Sequence, residues 1–212
     1  MYVDSWLNSI NIHRESARIT VRGESRPAAA QRHPLAVSGL GLALSLVGVM
    51  LLNGCSTTAP SASTRPVTGP VDKVVVKKSQ RQLELLSGGQ VVRQYRVALG
   101  GSPVGHKYRE GDQRTPEGTY TLNWRNPNSN FYKAIHISYP SEKDRALSRQ
   151  LGYSNPGGMI MLHGLPNYIQ SESMRREYAN RDWTQGCIAV QNQDMDEIWS
   201  LVKDGTPIQI MP

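Results

Sequence analysis

One thiol and one imidazole stand out in the C-terminal part of the sequence. The thiol is Cys187, within Thr184-Gln185-Gly186-Cys187-Ile188, and it is one of only two cysteines in the chain. The imidazole is His163, which follows the apolar run Met159–Leu162 and precedes Gly164. A neighbouring imidazole activates a thiol by accepting its proton or stabilising the thiolate. The two residues therefore predict a cysteine nucleophile with a lowered pKa and a histidine base.

Each residue taken alone also has a structural interpretation. A lone cysteine beside Ile188 can be buried and inert, and a lone histidine is often a hydrogen-bonded structural residue. Two features favour chemistry: Gly186 allows the backbone to approach a substrate closely, and the polar run 181–185 leads into the thiol. The joint occurrence of His–Gly and Gly–Cys pairs favours a catalytic site.

Short strands must position these side chains. Alternating or β-branched runs predict strands within residues 74–76, 83–85, 91–99, 120–124, 135–139, 159–162 and 208–210. In the third run, Val91, Tyr95, Val97 and Leu99 are expected to share one face. Two helices are predicted, over Ser141–Leu151 and after Asn192, the latter from apolar residues Met195, Ile198, Trp199 and Val202. We expect a mainly β domain, a sandwich or open barrel with two or three short helices.

The first 54 residues are typical of an export leader. An arginine-rich stretch precedes Leu35–Leu52, 18 residues without a charge, as in a signal sequence. The run ends at Asn53-Gly54-Cys55-Ser56, which resembles a bacterial lipobox, and Cys55 is the predicted lipidation site. The alternative is a transmembrane anchor with an incidental cysteine. Residues 55–70 are then the lipidated cysteine and a flexible linker, and residues 71–212 the catalytic domain.

Composition excludes several classes of function. The net charge is +7, but five arginines lie in the first 34 residues, so the domain is only mildly basic. We find no basic stripe or motif of a nucleic-acid binder and predict no nucleic-acid partner. Two cysteines without a second metal-ligand motif make a zinc site a poor alternative.

The reactive residues resemble those of a known family. The motifs Ile160-Met161-Leu162-His163-Gly164 and Thr184-x-Gly186-Cys187-Ile188 are similar to those of L,D-transpeptidase catalytic domains of the YkuD type. The upstream turn Gly111-Asp112-x-Arg114-Thr115-Pro116-Glu117-Gly118-x-Tyr120 is also similar. Two positions depart from the family pattern: Gln185 replaces a frequent histidine and Ala189 an arginine. A lid or loop is expected over Pro166–Asn180.

The resemblance implies an acyl transfer on peptidoglycan stem peptides. Cys187 would be the nucleophile, His163 the general acid and base, and the Gly186 N–H an oxyanion donor, with no metal or organic cofactor. Gly164, Thr184, Gln185 and Trp183 would contact the substrate, while Tyr168 and Tyr178 could line the cleft. Loss of D-Ala would be followed by 3→3 cross-linking, attachment of a lipoprotein, or D-amino-acid exchange. These reactions belong to cell-wall assembly and cell shape.

Two alternatives to transpeptidation stay open. With water as acceptor the same site would act as a peptidoglycan L,D-peptidase or amidase. A non-catalytic wall-binding lipoprotein is less favoured, because both Cys187 and His163 are intact. Sortases also place histidine before cysteine, but they need an arginine after the cysteine, and this chain has none. The leader and Ser56 predict a periplasmic protein held by lipid in the outer membrane of a Gram-negative cell.

Overall fold

The computed structural model describes residues 69–212. The predicted leader, Cys55 and most of the predicted linker lie outside the described residues. Within residues 69–212, the helices are all too short or too polar to cross a membrane.

Eight strands and three helices make up the described part of the chain. The strands are β1 Lys73–Lys77, β2 Gln82–Ser87, β3 Gln90–Arg96, β4 Gly118–Ser129, β5 Tyr132–Ile137, β6 Met161–His163, β7 Ile188–Ala189 and β8 Thr206–Met211. The helices are α1 Glu142–Gln150, α2 Glu172–Ala179 and α3 Asn192–Leu201. The prediction of a mainly β domain with up to three short helices is confirmed.

The strands form one sheet in the order β3-β2-β1-β8-β4-β5-β6-β7. Its two edges approach each other, because the chain beyond β3 reaches β7. Ala98 and Ala189 exchange two backbone hydrogen bonds of 2.8 and 2.9 Å, and Gly100 bridges to Thr184. The sheet is thus bent into an open barrel, and this contact brings the segment after β3 beside the Cys187 loop.

Alternation of side chains places apolar residues on the inner face of the sheet. Fully buried residues come from seven of the eight strands and from α3, and include Val74, Val76, Leu83, Leu85, Leu122, Ile135, Ile137, Leu162, Ile188, Ile208, Met195 and Ile198. Each side chain of this size stabilises the fold by about 1.5–3 kcal/mol. The core thereby supports β6 and β7, which carry the reactive residues.

Two predictions about strand faces are wrong. Val91 is exposed, because a bulge between Leu85 and Leu86 shifts the register of β2 against β3. Met159 is also exposed, with φ +52°, so the buried segment begins at Ile160 rather than at Met159.

The helices begin and end near their predicted bounds. Ser141 caps α1, and its hydroxyl accepts from the Asp144 N–H while the Asp144 carboxylate accepts from the Ser141 N–H. α3 starts at Asn192, one residue earlier than predicted. α2 lies inside the predicted lid or loop 166–180 and has no buried residue, which explains why its apolar periodicity is weak.

Candidate active site

Two parallel strands bring Cys187 and His163 to one face of the sheet. Leu162 pairs with Ile188 and His163 with Ala189, so Cys187 lies beside Met161, one position before β7. His163 is two residues further along the neighbouring strand, and side chains two residues apart share a face. Adjacent strands are about 4.8 Å apart, so Cys187 and His163 occupy diagonal positions on neighbouring segments of the sheet.

The Cys187 thiol is protonated at neutral pH. Its sulfur accepts a hydrogen bond from the Met161 N–H at 3.4 Å and lies 3.7 Å from the Met159 carbonyl oxygen. Burial raises the thiol pKa to about 11, outweighing the Met161 N–H and the positive charge of Lys107, which both lower it. The predicted lowering of the thiol pKa is therefore wrong for the resting protein.

The His163 imidazole is neutral and has a defined tautomer. Its Nδ1 lies 2.7 Å from the Gly164 carbonyl oxygen, and because a carbonyl only accepts, Nδ1 carries the hydrogen. Burial lowers the pKa of His163 to about 4, although the bond to Gly164 acts in the opposite direction. Within residues 69–212 its Nε2 forms no hydrogen bond, so the Nε2 lone pair can accept a proton.

Aromatic side chains cover the imidazole. The ring centroids of Phe131 and Trp183 lie 4.8 and 5.7 Å from that of His163. Tyr178 of α2 packs edge-on against Trp183 at 5.1 Å, and its hydroxyl is 3.1 Å from that of Tyr168. We refer to Phe131, Tyr168, Tyr178 and Trp183 as the aromatic cover. Phe131 and Trp183 lie directly against the His163 ring and help to bury it, and this burial lowers the imidazole pKa.

Of the aromatic cover, the sequence predicts Trp183 as a substrate contact and Tyr168 and Tyr178 as cleft residues. The Trp183 Nε1–H is buried and has no hydrogen-bond partner within the described residues. Phe131 was missed, since it lies in the β4–β5 turn and nothing in the neighbouring sequence relates that turn to His163.

Thr184 holds the loop that carries the thiol. Its hydroxyl donates to the Cys187 carbonyl at 2.7 Å and accepts from the Gly186 N–H at 3.1 Å. The Gly186 N–H is thus already bonded, and its predicted role as an oxyanion donor is not available in the resting structure. Gly186 has φ +128°, and a Cβ there would lie 2.6 Å from the Arg114 carbonyl oxygen. Only glycine fits this position without displacing backbone.

The remaining predicted substrate contacts divide into one exposed and one buried residue. Gln185 is exposed beside the thiol. Gly164 is buried, and a Cβ there would lie 2.7 Å from Asn192 Oδ1 and 2.9 Å from Tyr132 Cβ. Gly164 therefore packs against α3 and β5, and its carbonyl orients His163, while its predicted contact with a substrate stays a prediction. Asn192 was missed, and its amide oxygen also accepts from the Leu165 N–H.

The described residues provide no metal centre: within 69–212 no three His, Cys, Asp or Glu side chains cluster as ligands. Arg175 and Arg176 lie on α2, and both pair with Glu172, at 3.6 and 3.9 Å. They belong to a solvated helix face.

Comparison with known proteins relates this geometry to one family. Residues 72–210 match the family model of the L,D-transpeptidase catalytic domain, YkuD. The chain is 30% identical over 177 residues to the Escherichia coli K12 protein named "Putative L,D-transpeptidase YafK", in an alignment that covers 75% of this chain and 63% of YafK. The chain thus spans less than two thirds of this curated relative.

A solved structure has a similar fold. The helical cell shape determining protein Pgp2 of Campylobacter jejuni superposes with a TM-score of 0.50 at 24% identity, over 65% of this chain and 46% of Pgp2. At this identity the likeness concerns the fold alone.

Proposed function

Because this chain belongs to the YkuD family of L,D-transpeptidase catalytic domains, we propose that it transfers acyl groups of peptidoglycan stem peptides through a thioester on Cys187. The observation that carries the proposal is the placement of the thiol and the imidazole on one face of β6 and β7. In this proposal the Nε2 lone pair of His163 accepts the proton, and the Cys187 sulfur is the nucleophile.

The first step forms the thioester. The Cys187 sulfur attacks the carbonyl carbon on the L-centre of diaminopimelate in a tetrapeptide, and the thiol proton passes to His163 Nε2. Both groups are neutral at rest, so the proton moves as the C–S bond forms rather than before it. The carbonyl oxygen becomes an oxyanion. When the C–N bond breaks, the imidazolium returns the proton to the amine of D-Ala, which leaves.

The Cys187 N–H is the oxyanion donor that we propose in place of Gly186. The Gly186 N–H is bonded to Thr184, whereas the Cys187 N–H has no acceptor within residues 69–212. Backbone donors of this kind typically lower the barrier by about 3 kcal/mol. The bond from the Thr184 hydroxyl to the Cys187 carbonyl holds the backbone of Cys187 in place before the substrate arrives.

The second step transfers the acyl group to an amine. The acceptor amine attacks the thioester carbonyl, His163 Nε2 takes the amine proton, and the sulfur leaves as the thiolate and is reprotonated by the imidazolium. A stem-peptide amine would yield a 3→3 cross-link, and a lipoprotein lysine would yield an attached protein. Water would yield the tripeptide. The aromatic cover favours amines, because it limits the access of water to His163.

We also propose that the protein acts in the periplasm, attached through lipid on Cys55 to the outer membrane. The support is the order of an arginine-rich stretch, an apolar run and Gly54-Cys55. Incorporation of a fatty-acid label that disappears in Cys55→Ala would support the anchor. Equal labelling of both chains would contradict it.

The proposed reaction is tested by mass spectrometry of purified wall tetrapeptides incubated with the chain, beside Cys187→Ala. A 3→3 dimer or a D-amino-acid exchange product absent from the control supports transpeptidation. Tripeptide or a detached lipoprotein without cross-links, again dependent on Cys187, indicates the peptidase or amidase. Absence of any Cys187-dependent product contradicts both and favours the wall-binding lipoprotein.

A further inference from the structure

A cleft of about 330 Å³ opens in the turn that precedes β4. Its walls include two arginines and two tyrosines, together with an aspartate and a glutamine: Arg109, Arg114, Tyr108, Tyr153, Asp112 and Gln113. We refer to these six residues as the arginine cleft. The proposed acyl transfer assigns no role to any of them.

The arginine cleft adjoins the loop that carries the nucleophile. A Cβ on Gly186 would lie 2.6 Å from the Arg114 carbonyl oxygen, and one on Gly100 only 2.1 Å from that of Gln113. The backbone of residues 113–114 is thus packed directly against the residue before Cys187. The segment that forms the arginine cleft is therefore in direct contact with the loop that carries Cys187.

The aspartate of the cleft does not neutralise the two arginines. Asp112 accepts from Lys107 Nζ at 2.7 Å and from the backbone N–H groups of Tyr108, Arg109 and Arg114 at 2.8–3.1 Å. Burial raises its pKa, but these bonds outweigh burial and hold the pKa below the usual value. Its charge is balanced by Lys107, and both of its oxygens are already bonded.

The two arginines lack carboxylate partners of their own. Within residues 69–212 neither Arg109 nor Arg114 forms an ion pair, whereas Arg81 pairs with Asp182 and Arg125 with Asp204, each at 2.6 Å. The Arg109 guanidinium lies 5.5 Å from the Tyr153 ring centroid and that of Arg114 5.9 Å from the Tyr108 centroid. The rings restrict the guanidinium groups and leave their charges without a counter-ion.

The wall of the cleft is anchored from beneath. Lys78 is buried, and its ammonium donates to the carbonyls of Gly105 and Thr115 and to the Glu117 carboxylate at 2.6–2.9 Å. These bonds hold both ends of the 105–117 segment, so a ligand meets a site that is already ordered.

We infer that the arginine cleft binds a carboxylate of the stem peptide and so selects the peptides that reach Cys187. Arg109 and Arg114 are the binding residues, since a guanidinium donates two parallel N–H groups to a carboxylate. A tetrapeptide stem offers carboxylates at its terminal D-Ala and at the side-chain centre of diaminopimelate. The inference rests on the proposed function for the identity of the peptide.

Binding is measured by titration calorimetry of the tetrapeptide into the Cys187→Ala chain, which prevents turnover. Adding Arg114→Gln or Arg109→Gln to this chain should increase the Kd about tenfold or more, as expected when a charged hydrogen bond is lost. Arg114→Lys should restore part of the affinity. Lys203→Gln, which removes an exposed charge outside the cleft, should leave the Kd unchanged. Arg109 is exposed, so its variant retains the fold even if Arg114→Gln does not.

Two modified tetrapeptides identify the carboxylate that the cleft binds. One is amidated at the terminal D-Ala and the other at the side-chain centre of diaminopimelate. The peptide whose bound carboxylate is amidated should bind the Cys187→Ala chain about tenfold more weakly and lose nothing further with Arg114→Gln. The other amidated peptide should behave like the tetrapeptide. Equal Kd values for both arginine variants and the lysine control, or no measurable binding of the tetrapeptide, would overturn the inference.

Turnover separates this inference from the proposed reaction. If Cys187-dependent products form with the same KM in the arginine variants, the cleft inference fails and the acyl transfer stands. If binding depends on the arginines but no Cys187-dependent product forms, the acyl transfer fails and the cleft remains a carboxylate site.

Discussion

Two histidines of the domain are held in different ways. His163 donates from Nδ1 to a carbonyl and has no partner for Nε2 within residues 69–212. His106 uses both nitrogens, because its Nδ1 accepts from the Glu117 N–H at 3.0 Å and its Nε2 lies 3.3 Å from Asp144 Oδ1. Each ring packs against aromatic neighbours, so the contrast lies in hydrogen bonding.

The His106 site is a structural connection. Burial raises the pKa of Asp144, but hydrogen bonds from His106 and Ser141 outweigh it and hold this pKa below its usual value. His106 thereby joins the segment before β4 to the start of α1. His163 has no carboxylate partner, and its second nitrogen remains available. The difference suggests that a buried histidine with one uncommitted nitrogen beside a thiol is suited to proton transfer.

The largest expected difference between the two histidines is in turnover. His163→Ala should reduce the kcat for Cys187-dependent products by about 10²–10⁴-fold, the usual contribution of a general acid or base. His106→Ala should leave kcat within about tenfold but reduce the free energy of unfolding by about 1–3 kcal/mol, since buried partners lose their bonds. Rates and urea unfolding of both variants test this. Equal losses of kcat in two folded variants would contradict it.

A second difference concerns stability against pH. The pKa of His163 is about 4 in the fold and 6.5 in the unfolded chain, so between these values the unfolded chain binds the proton more readily. The free energy of unfolding should therefore fall by about 3 kcal/mol from this residue as the pH decreases from 6.5 to 4. Urea unfolding at pH 7 and pH 4 measures it. His163→Gln should lose this part of the pH dependence and His106→Gln should keep it.

The rate of alkylation of the Cys187 thiol tests whether Cys187 and His163 are both neutral at rest or form a thiolate–imidazolium pair. With a pKa of about 11 against the ordinary 9.0, Cys187 should react with iodoacetamide at pH 8 roughly a hundredfold more slowly than an ordinary thiol. Its rate should increase up to about pH 11. A Cys55→Ser background isolates the signal. Fast alkylation with a midpoint near pH 6 would instead indicate a thiolate–imidazolium pair.

The smallest expected effect comes from opening the aromatic cover. Phe131→Ala should raise the pKa of His163 toward its usual value, because water then reaches a ring that is now 3% exposed. NMR titration of the imidazole measures the shift. Trp124→Ala is the matched control: Trp124 is similarly exposed and stacks on His136 at the same 4.8 Å. An unchanged titration in Phe131→Ala would show that the fold, and not this ring, keeps His163 neutral.

The sequence by itself determined the mainly β class, the capped helices and the chemical types of the reactive residues. The alternation of apolar and polar side chains in residues 120–124 and the capping of α1 by Ser141 depend on a few neighbouring residues. A short segment of the sequence is therefore enough to predict them. The roles of Cys187 and His163 remain predictions from motif and spacing, and the structure adds their placement on one face.

Only the tertiary structure decided the protonation of the reactive pair and the surroundings of Cys187. The pKa values depend on burial by Phe131 and Trp183, residues distant in sequence from His163. The bond from Gly186 to Thr184 is local, yet the sequence did not predict it because a backbone N–H has several possible acceptors. The arginine cleft adjoins Cys187 only because residues 113–114 pack against Gly100 and Gly186. Desolvation and close backbone contacts arise between segments that are far apart in the chain. Local sequence patterns therefore do not predict them.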